Sequence, residues 1–194
     1  MRFSTIAGFT IGAAVASYHY HKQIKQLAYN SKFGMLSQSG MERYLNRYRG
    51  NAVDVIFCDG DKFKQLNDAG KLLGYADIYE FSDKLVREAF SNLRKTDEVI
   101  EVGQKNSGDE WIILVPAYQG RGAARRLLEI MSSIPNEHER SAIKTASNGA
   151  IETLSATIAV VECVKGRSAI FHAIELGIQR VTNAKALGIK ACIV

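Results

Sequence analysis

Proline is scarce in this 194-residue chain, at 2 residues, and no Ser/Gly-rich tract accompanies it, so no flexible linker is visible. Internal repeats and low-complexity runs are missing too, which removes solenoid and fibrous architectures. The 3 cysteines (Cys58, Cys163, Cys192) are widely spaced, and His19, His21, His138 and His172 stand at no ligand spacing. Without a CxxC pair or a Cys/His pattern nothing marks a zinc site, and the thiols read as buried cysteines in a reducing compartment. A GxxxxGK[ST] loop is absent, which excludes P-loop nucleotide binding. Nor is charge gathered in one block: the net +5 is spread along the sequence. Its densest group, Arg121, Arg125 and Arg126, reads as the solvated face of a helix.

What is present is ordinary for a globular chain, 46% hydrophobic and 23% charged, and sufficient for a full core. The length fits one catalytic-sized domain with a short appendage. We assign residues 1–27 to the appendage and 28–194 to the domain. Residues 3–20 carry no charge, with Arg2 before them and His21, Lys22 and Lys25 after. Spanning a bilayer needs ~20 apolar residues, and this stretch is rich in Ala, Gly, Ser and Thr rather than Leu. Three readings of this apolar N-terminal helix stand: a membrane anchor, a signal peptide with Ala14-Val15-Ala16 as its cleavage site, or a helix packed on its own domain or a partner. Residues 20–30 would continue it toward the domain.

Within the domain, residues 33–37 read as a turn and 40–48 as a short helix. The β-branched and aromatic run at 53–58 predicts a strand. Ile78, Phe81, Leu85, Ala89 and Leu93 step by three and four, which is one helix face. Residues 98–102 and 110–115 read as a hairpin across a polar turn at 103–108, with Pro116 ending the second strand. A helix follows at 123–134, with Leu127, Ile130, Met131 and Ile134 inward. Residues 155–161 form a buried strand, and Ile170, Ile174, Ile178 and Val181 mark a last helix. This order predicts an α+β fold, a ferredoxin-like or polymerase-palm sheet with helices packed on it, preceded by the N-terminal helix.

Two acidic motifs sit at the strand edges. Asp59-Gly60-Asp61-Lys62-Phe63-Lys64-Gln65-Leu66-Asn67-Asp68 follows the strand at 53–58, and Ser107-Gly108-Asp109-Glu110-Trp111 leads into the strand at 110–115. Carboxylates at the edges of two strands that can lie side by side suit a Mg²⁺ site for nucleotidyl transfer. Hard cations take oxygen ligands, and two of them ~3.5–4 Å apart clamp the attacking and leaving oxygens. Bland alternatives exist for each motif alone, as helix N-terminal acids or turn chemistry. An EF-hand is excluded by the offsets of its Gly and terminal Glu.

Residues 28–194 resemble a GGDEF domain, the catalytic domain of diguanylate cyclases. The first motif matches the family's D-x-D-x-F-K-x-x-N-D, and Ser107-Gly108-Asp109-Glu110-Trp111 stands where the GGDEF signature belongs. Phe33-Gly34-Met35-Leu36 resembles part of the family's opening segment, Ala184-Lys185-Ala186-Leu187-Gly188 its terminal AK-x-x-G, and Arg94-Lys95-Thr96-Asp97 the RxxD of its product-inhibition site. The resemblance implies condensation of two GTP into cyclic di-GMP across a homodimer, each subunit holding one GTP, with Mg²⁺ or Mn²⁺ as cofactor. Asp59, the Gly60 carbonyl, Asp109 and Glu110 are then the metal ligands, Glu110 serving alternatively as base. Asp109, Glu110 and Lys64 are the catalytic set. Lys64 and Lys185 offset phosphate charge, and Gly108 lets the backbone approach a phosphate. Asn67 bonds the guanine edge, with Asp77 as the candidate second acid, while Arg94 and Asp97 form the product-inhibition pair. No nucleic-acid partner is implied. The catalytic domain is expected in the cytoplasm, held at the inner membrane if residues 3–20 insert.

The sequence departs from the family pattern at several points. Ser107 replaces the first Gly of the signature and Trp111 its Phe. Gly70-Lys71-Leu72-Leu73-Gly74-Tyr75 stands in place of GHxxGD, the stretch from Asp97 to Ser107 is long, and Ile189 replaces the Arg after AK-x-x-G. Two rival readings therefore stand beside the cyclase: a degenerate domain that binds GTP or cyclic di-GMP as a regulator, and a palm-type cyclase with a different base choice.

Overall fold

The structure is a computed structural model and describes residues 28–30, 33–106 and 108–194. The expected N-terminal helix, the candidate membrane segment at 3–20 and Ser107 lie outside these residues. No described helix is long and apolar enough to cross a membrane.

Six strands, β1 (Tyr29–Asn30), β2 (Met35–Leu36), β3 (Val53–Gly60), β4 (Glu101–Gln104), β5 (Glu110–Pro116) and β6 (Ala156–Val164), form one sheet in the order β1-β2-β4-β5-β3-β6. The four longer strands pair antiparallel, while β2 joins β4 in parallel through Leu36 and Gly103. The described helices are α1 (Gln38–Arg47), α2 (Phe63–Leu72), α3 (Glu80–Thr96), α4 (Gly120–Ser133), α5 (Glu137–Ala146) and α6 (Arg167–Ala186). This is the α+β, palm-like arrangement that the element order predicts.

Strand periodicity sorts the core into two layers. Ile56 and Cys58 of β3 join Trp111, Ile113 and Val115 of β5 under α2, α3, α4 and α5, with Phe81, Leu85, Phe90 and Leu127 filling that side. Val55 and Phe57 point the other way, with Ile112 and Leu114, toward Met41 and Leu45 of α1 and Ile170 and Ile174 of α6. Because both faces are covered, β3 is buried almost throughout rather than alternately. Helix α6 comes very close to β3: a Cβ built at Gly177 would sit 2.8 Å from the Phe57 Cβ.

Several sequence expectations change in detail. Tyr29 and Asn30 pair with Leu36 and Met35 as a short strand rather than continuing a helix, so residues 33–37 are a hairpin end and not only a turn. The first hairpin strand is β4, shifted toward the turn from residues 98–102, and Gly103 and Gln104 pair with Ile112 and Trp111. Helix α3 starts at Glu80, which leaves Ile78 outside it and 40% exposed instead of inward. Helices α2 and α5 were not expected. Cys58 is buried as anticipated, but Cys163 is exposed and Cys192 half-buried.

Candidate functional site

The two acidic motifs meet at one end of the β3–β5 pair. Asp59 and Glu110 are direct register partners, and the Gly60 amide donates to the Asp109 carbonyl at 2.7 Å. Antiparallel pairing brings the last residues of one strand to the first residues of the other, so two motifs distant in sequence become one acidic edge. A Cβ at Gly60 would lie 2.8 Å from the Phe63 ring and 3.3 Å from the Trp111 ring. The aromatic floor under the loop therefore requires glycine there. Lys62 turns the chain into α2 with φ 55, a left-handed geometry uncommon for a residue with a side chain. No side chain caps α2, so its first turn presents backbone N–H groups of the kind that suit an anion. Lys64 is exposed on that turn. Gly108 takes φ +105 with open space around its Cβ position, so the backbone angle, not crowding, selects glycine in the hairpin turn.

Lys185, in the last turn of α6, reaches into this edge. Its Nζ lies 2.6 Å from Asp59 Oδ1, 3.2 Å from Asp61 Oδ1 and 3.0 Å from the Gly60 carbonyl oxygen. Asp61 is buried and also accepts from the Thr157 hydroxyl at 3.0 Å and the Ala191 amide at 2.9 Å. Glu110 accepts from the Asn106 side-chain amide. With these partners engaged, no three acid, His or Cys side chains among the described residues converge as a ready cation cage.

Burial pushes the Asp59 carboxyl up, against the hydrogen bond and charge of Lys185, while Asp109 and Asp61 add to the rise. Desolvation outweighs the ion pair here because Asp59 sits half-buried among like charges. Glu110 is also raised, first by burial and then by Asp59 and Asp109, with the Asn106 hydrogen bond opposing. Crowded carboxylates whose ionised form is disfavoured are a common mark of a site built for a cation or proton transfer.

Other expected site residues fall on neighbouring elements. Asn67, on α2, has its Oδ1 2.7 Å from the hydroxyl of buried Ser82, which is also 3.0 Å from the Tyr79 carbonyl. Exposed Asp77 accepts the Tyr79 amide at 2.9 Å. Both residues are thus tied to the start of α3, and Asp77 borders a surface hollow with Glu80, Asp83 and Arg87. Arg94 and Asp97 are engaged separately. Arg94 donates to the Gly34 carbonyl at 2.8 Å, and Asp97 receives both arms of the Arg126 guanidinium, at 2.7 and 2.8 Å. Arg121, Arg125 and Arg126 are exposed on α4, with Arg121 paired to Glu162.

The sequence reading gave no role to Asp61, Thr157 or Asn106. For Asp61 a signal existed: two residues beyond Asp59 on an extended chain, it faces the same side. The partners on β6 and in the hairpin turn carried none, because they are set by tertiary pairing.

A sequence model of the diguanylate cyclase GGDEF domain matches residues 35–188. The chain belongs to the GGDEF family. Among curated proteins it is similar to the cyclic di-GMP phosphodiesterase NbdA of Pseudomonas aeruginosa, 28% identical over 141 residues, which is 68% of this chain and 17% of that protein. The chain therefore spans about a sixth of the curated relative it matches. Among solved structures, the coiled coil and GGDEF domain of DgcB from Caulobacter crescentus, in complex with c-di-GMP, superposes with a TM-score of 0.62 at 14% identity, covering 98% of this chain and 97% of that one. Diguanylate cyclase SiaD of Pseudomonas aeruginosa, in complex with its activator SiaC, gives 0.54 at 13% identity, covering 100% and 74%. At such identities the two structures establish the GGDEF fold for this chain.

Proposed function

We propose that this GGDEF domain is a diguanylate cyclase that joins two GTP into cyclic di-GMP with release of two pyrophosphates, using Mg²⁺ or Mn²⁺. The observation that carries the reading is the pairing of Asp59 with Glu110 across β3 and β5, with Asp109 bonded to Gly60 beside them. The donor set fits the cation: carboxylate oxygens and a main-chain carbonyl are hard ligands, and a positive nitrogen is already drawn among them. Asp59, the Gly60 carbonyl, Asp109 and Glu110 would hold the ion. When bound, it neutralises the triphosphate and lowers the pKa of the attacking 3′-hydroxyl.

In this reading the 3′-hydroxyl oxygen attacks the α-phosphate of the other GTP and expels pyrophosphate, and Glu110, where it does not ligate the ion, takes the hydroxyl proton. The open first turn of α2 and Lys64 hold the phosphates, Lys185 joins them, and the glycine backbone at 108 lets a phosphate approach. Asn67, with Asp77 nearby on the α3 side, reads the base. Each new phosphodiester links two nucleotides held by different subunits, so a homodimer is the working unit. Its substrate places residues 28–194 in the cytoplasm, and the uncharged stretch at 3–20 would tether them to the inner membrane.

A second reading, a cyclase of altered base choice, is favoured by the surroundings of the base-reading residues: the Asp77 carboxylate accepts the Tyr79 amide beside α3, and Asn67 Oδ1 accepts from the Ser82 hydroxyl. One experiment separates the two: full-length protein in detergent with GTP, ATP or both, Mg²⁺ or Mn²⁺, and products identified by mass. Cyclic di-GMP from GTP alone is the expected result. A mixed or adenine product would replace it with the second reading, and no product from any nucleotide would leave a binding role.

A further inference from the structure

The ammonium of Lys185 engages oxygens assigned to the proposed metal. It contacts an Asp59 carboxylate oxygen, an Asp61 carboxylate oxygen and the Gly60 carbonyl, at 2.6, 3.2 and 3.0 Å. Asp59 and the Gly60 carbonyl are two of the four groups assigned above to the cation. A divalent ion bonded to those same oxygens at ~2.0–2.1 Å would compete with the ammonium for their lone pairs and negative charge. The two positive charges would also repel strongly in a half-buried setting. Lys185 is able to leave, since it is a compact charge on a flexible four-carbon stem at the last turn of its helix.

We propose that Lys185 is a built-in counter-ion that closes the metal site in the nucleotide-free protein and competes with the divalent cation for Asp59. The proposal rests on the metal site described under the proposed function. Asp61 is the hinge of the device: it is buried, fixed by Thr157 and Ala191, and keeps the ammonium beside the site. A nucleotide triphosphate offers Lys185 a stronger anionic partner, so its arrival frees Asp59 and raises the affinity for the cation. Metal and nucleotide are then coupled through one side chain, and the coupling is reciprocal. The consequence is a domain that does not load metal idly but assembles its charge around the substrate.

The test is Mn²⁺ binding to the full chain without nucleotide, followed by electron paramagnetic resonance, in wild type, Lys185→Met and Lys185→Arg. If the ammonium holds the site closed in most molecules, its removal tightens Mn²⁺ binding by roughly tenfold or more. Lys185→Arg keeps the charge and should bind as weakly as wild type, while Asp59→Asn in the Lys185→Met background should abolish the gain. Equal Mn²⁺ affinity in wild type and Lys185→Met would overturn the counter-ion and leave the metal site standing. Absence of Mn²⁺ binding in every variant would overturn both. A readout on the unmodified chain guards against misfolded variants: amine labelling of Lys185, followed by mass spectrometry, should rise on adding Mn²⁺. Unchanged labelling at saturating Mn²⁺ contradicts the proposal.

Discussion

Individual side chains are held by particular partners, and those partners set how each should respond to substitution or pH. The Arg126 fork on Asp97 pulls that carboxyl below its usual range. An aspartate whose folded pKa is depressed lends stability above its unfolded value of about 3.9, and loses it as pH falls through the folded value. Arg126→Ala should therefore lower the melting temperature at neutral pH, with the gap to wild type closing below about pH 4. A gap that persisted undiminished in acid would exclude the ion pair as its cause. The cysteines separate on the same physical grounds. Burial pushes the Cys58 thiol far up, whereas Cys163 is exposed, and only a thiolate reacts. Mass analysis after mild alkylation should find Cys163 modified and Cys58 intact. The motifs were legible residue by residue: Asp59, Asp109 and Glu110 were read as one site and lie on one strand-pair edge. Lys185 was read as a phosphate partner; its grip on Asp59 and Asp61 was invisible, because it depends on where α6 ends over β3.

Among elements, long apolar runs were legible and short or polar ones were not. β3 and β5 announced themselves through β-branched residues, and α3 and α6 through spacing. Helix α5 buries little beyond Glu139 and Ile143, too little for a periodic signal, yet its capping box at Asn136 and Glu139 was written in the sequence. Helix α2 was hidden by its own motif, although Leu66, Ala69 and Gly70 give it a buried face. Packing of α6 on β3 offers a test at this scale. Ala at position 177 improves helix propensity, but its Cβ would press on Phe57. Overpacking of this kind costs about 1–3 kcal/mol, more than the propensity gain. Gly177→Ala should thus unfold at lower urea than wild type, and equal or greater stability would show that α6 can shift outward freely. The segment after α6 matters too. Ile158 donates to the Cys192 carbonyl and accepts from Val194, and Ala191 donates to Asp61. Deleting residues 189–194 should lower turnover through the loosened Asp61, more than it lowers the melting temperature. If stability fell and turnover per folded molecule did not, the tail would be only a sheet edge.

At the level of the whole molecule, the described residues present an acidic edge where β3 meets β5, and that edge is half of the proposed catalyst. Two GTP molecules held by two copies must face each other, so activity per chain should rise with chain concentration until dimers dominate. A specific activity independent of dilution, down to concentrations where only single chains remain, would contradict this. The fold shows where change is tolerated around the proposed site: β3, which carries Asp59, is covered by both core layers, whereas the α2–α3 loop lies at the surface, where changed sequence is tolerated. The central claim is that Asp109 belongs to a cation site that turns GTP over. The most direct measurement compares cyclic di-GMP formation from GTP and Mn²⁺ by wild type and Asp109→Ala, with circular dichroism and melting temperature as controls. Asp109 is a turn residue at the surface end of β5, so its removal should leave the fold intact. The account predicts product from wild type and none above background from a normally folded Asp109→Ala. Undiminished product from that variant, or none from wild type, would contradict it.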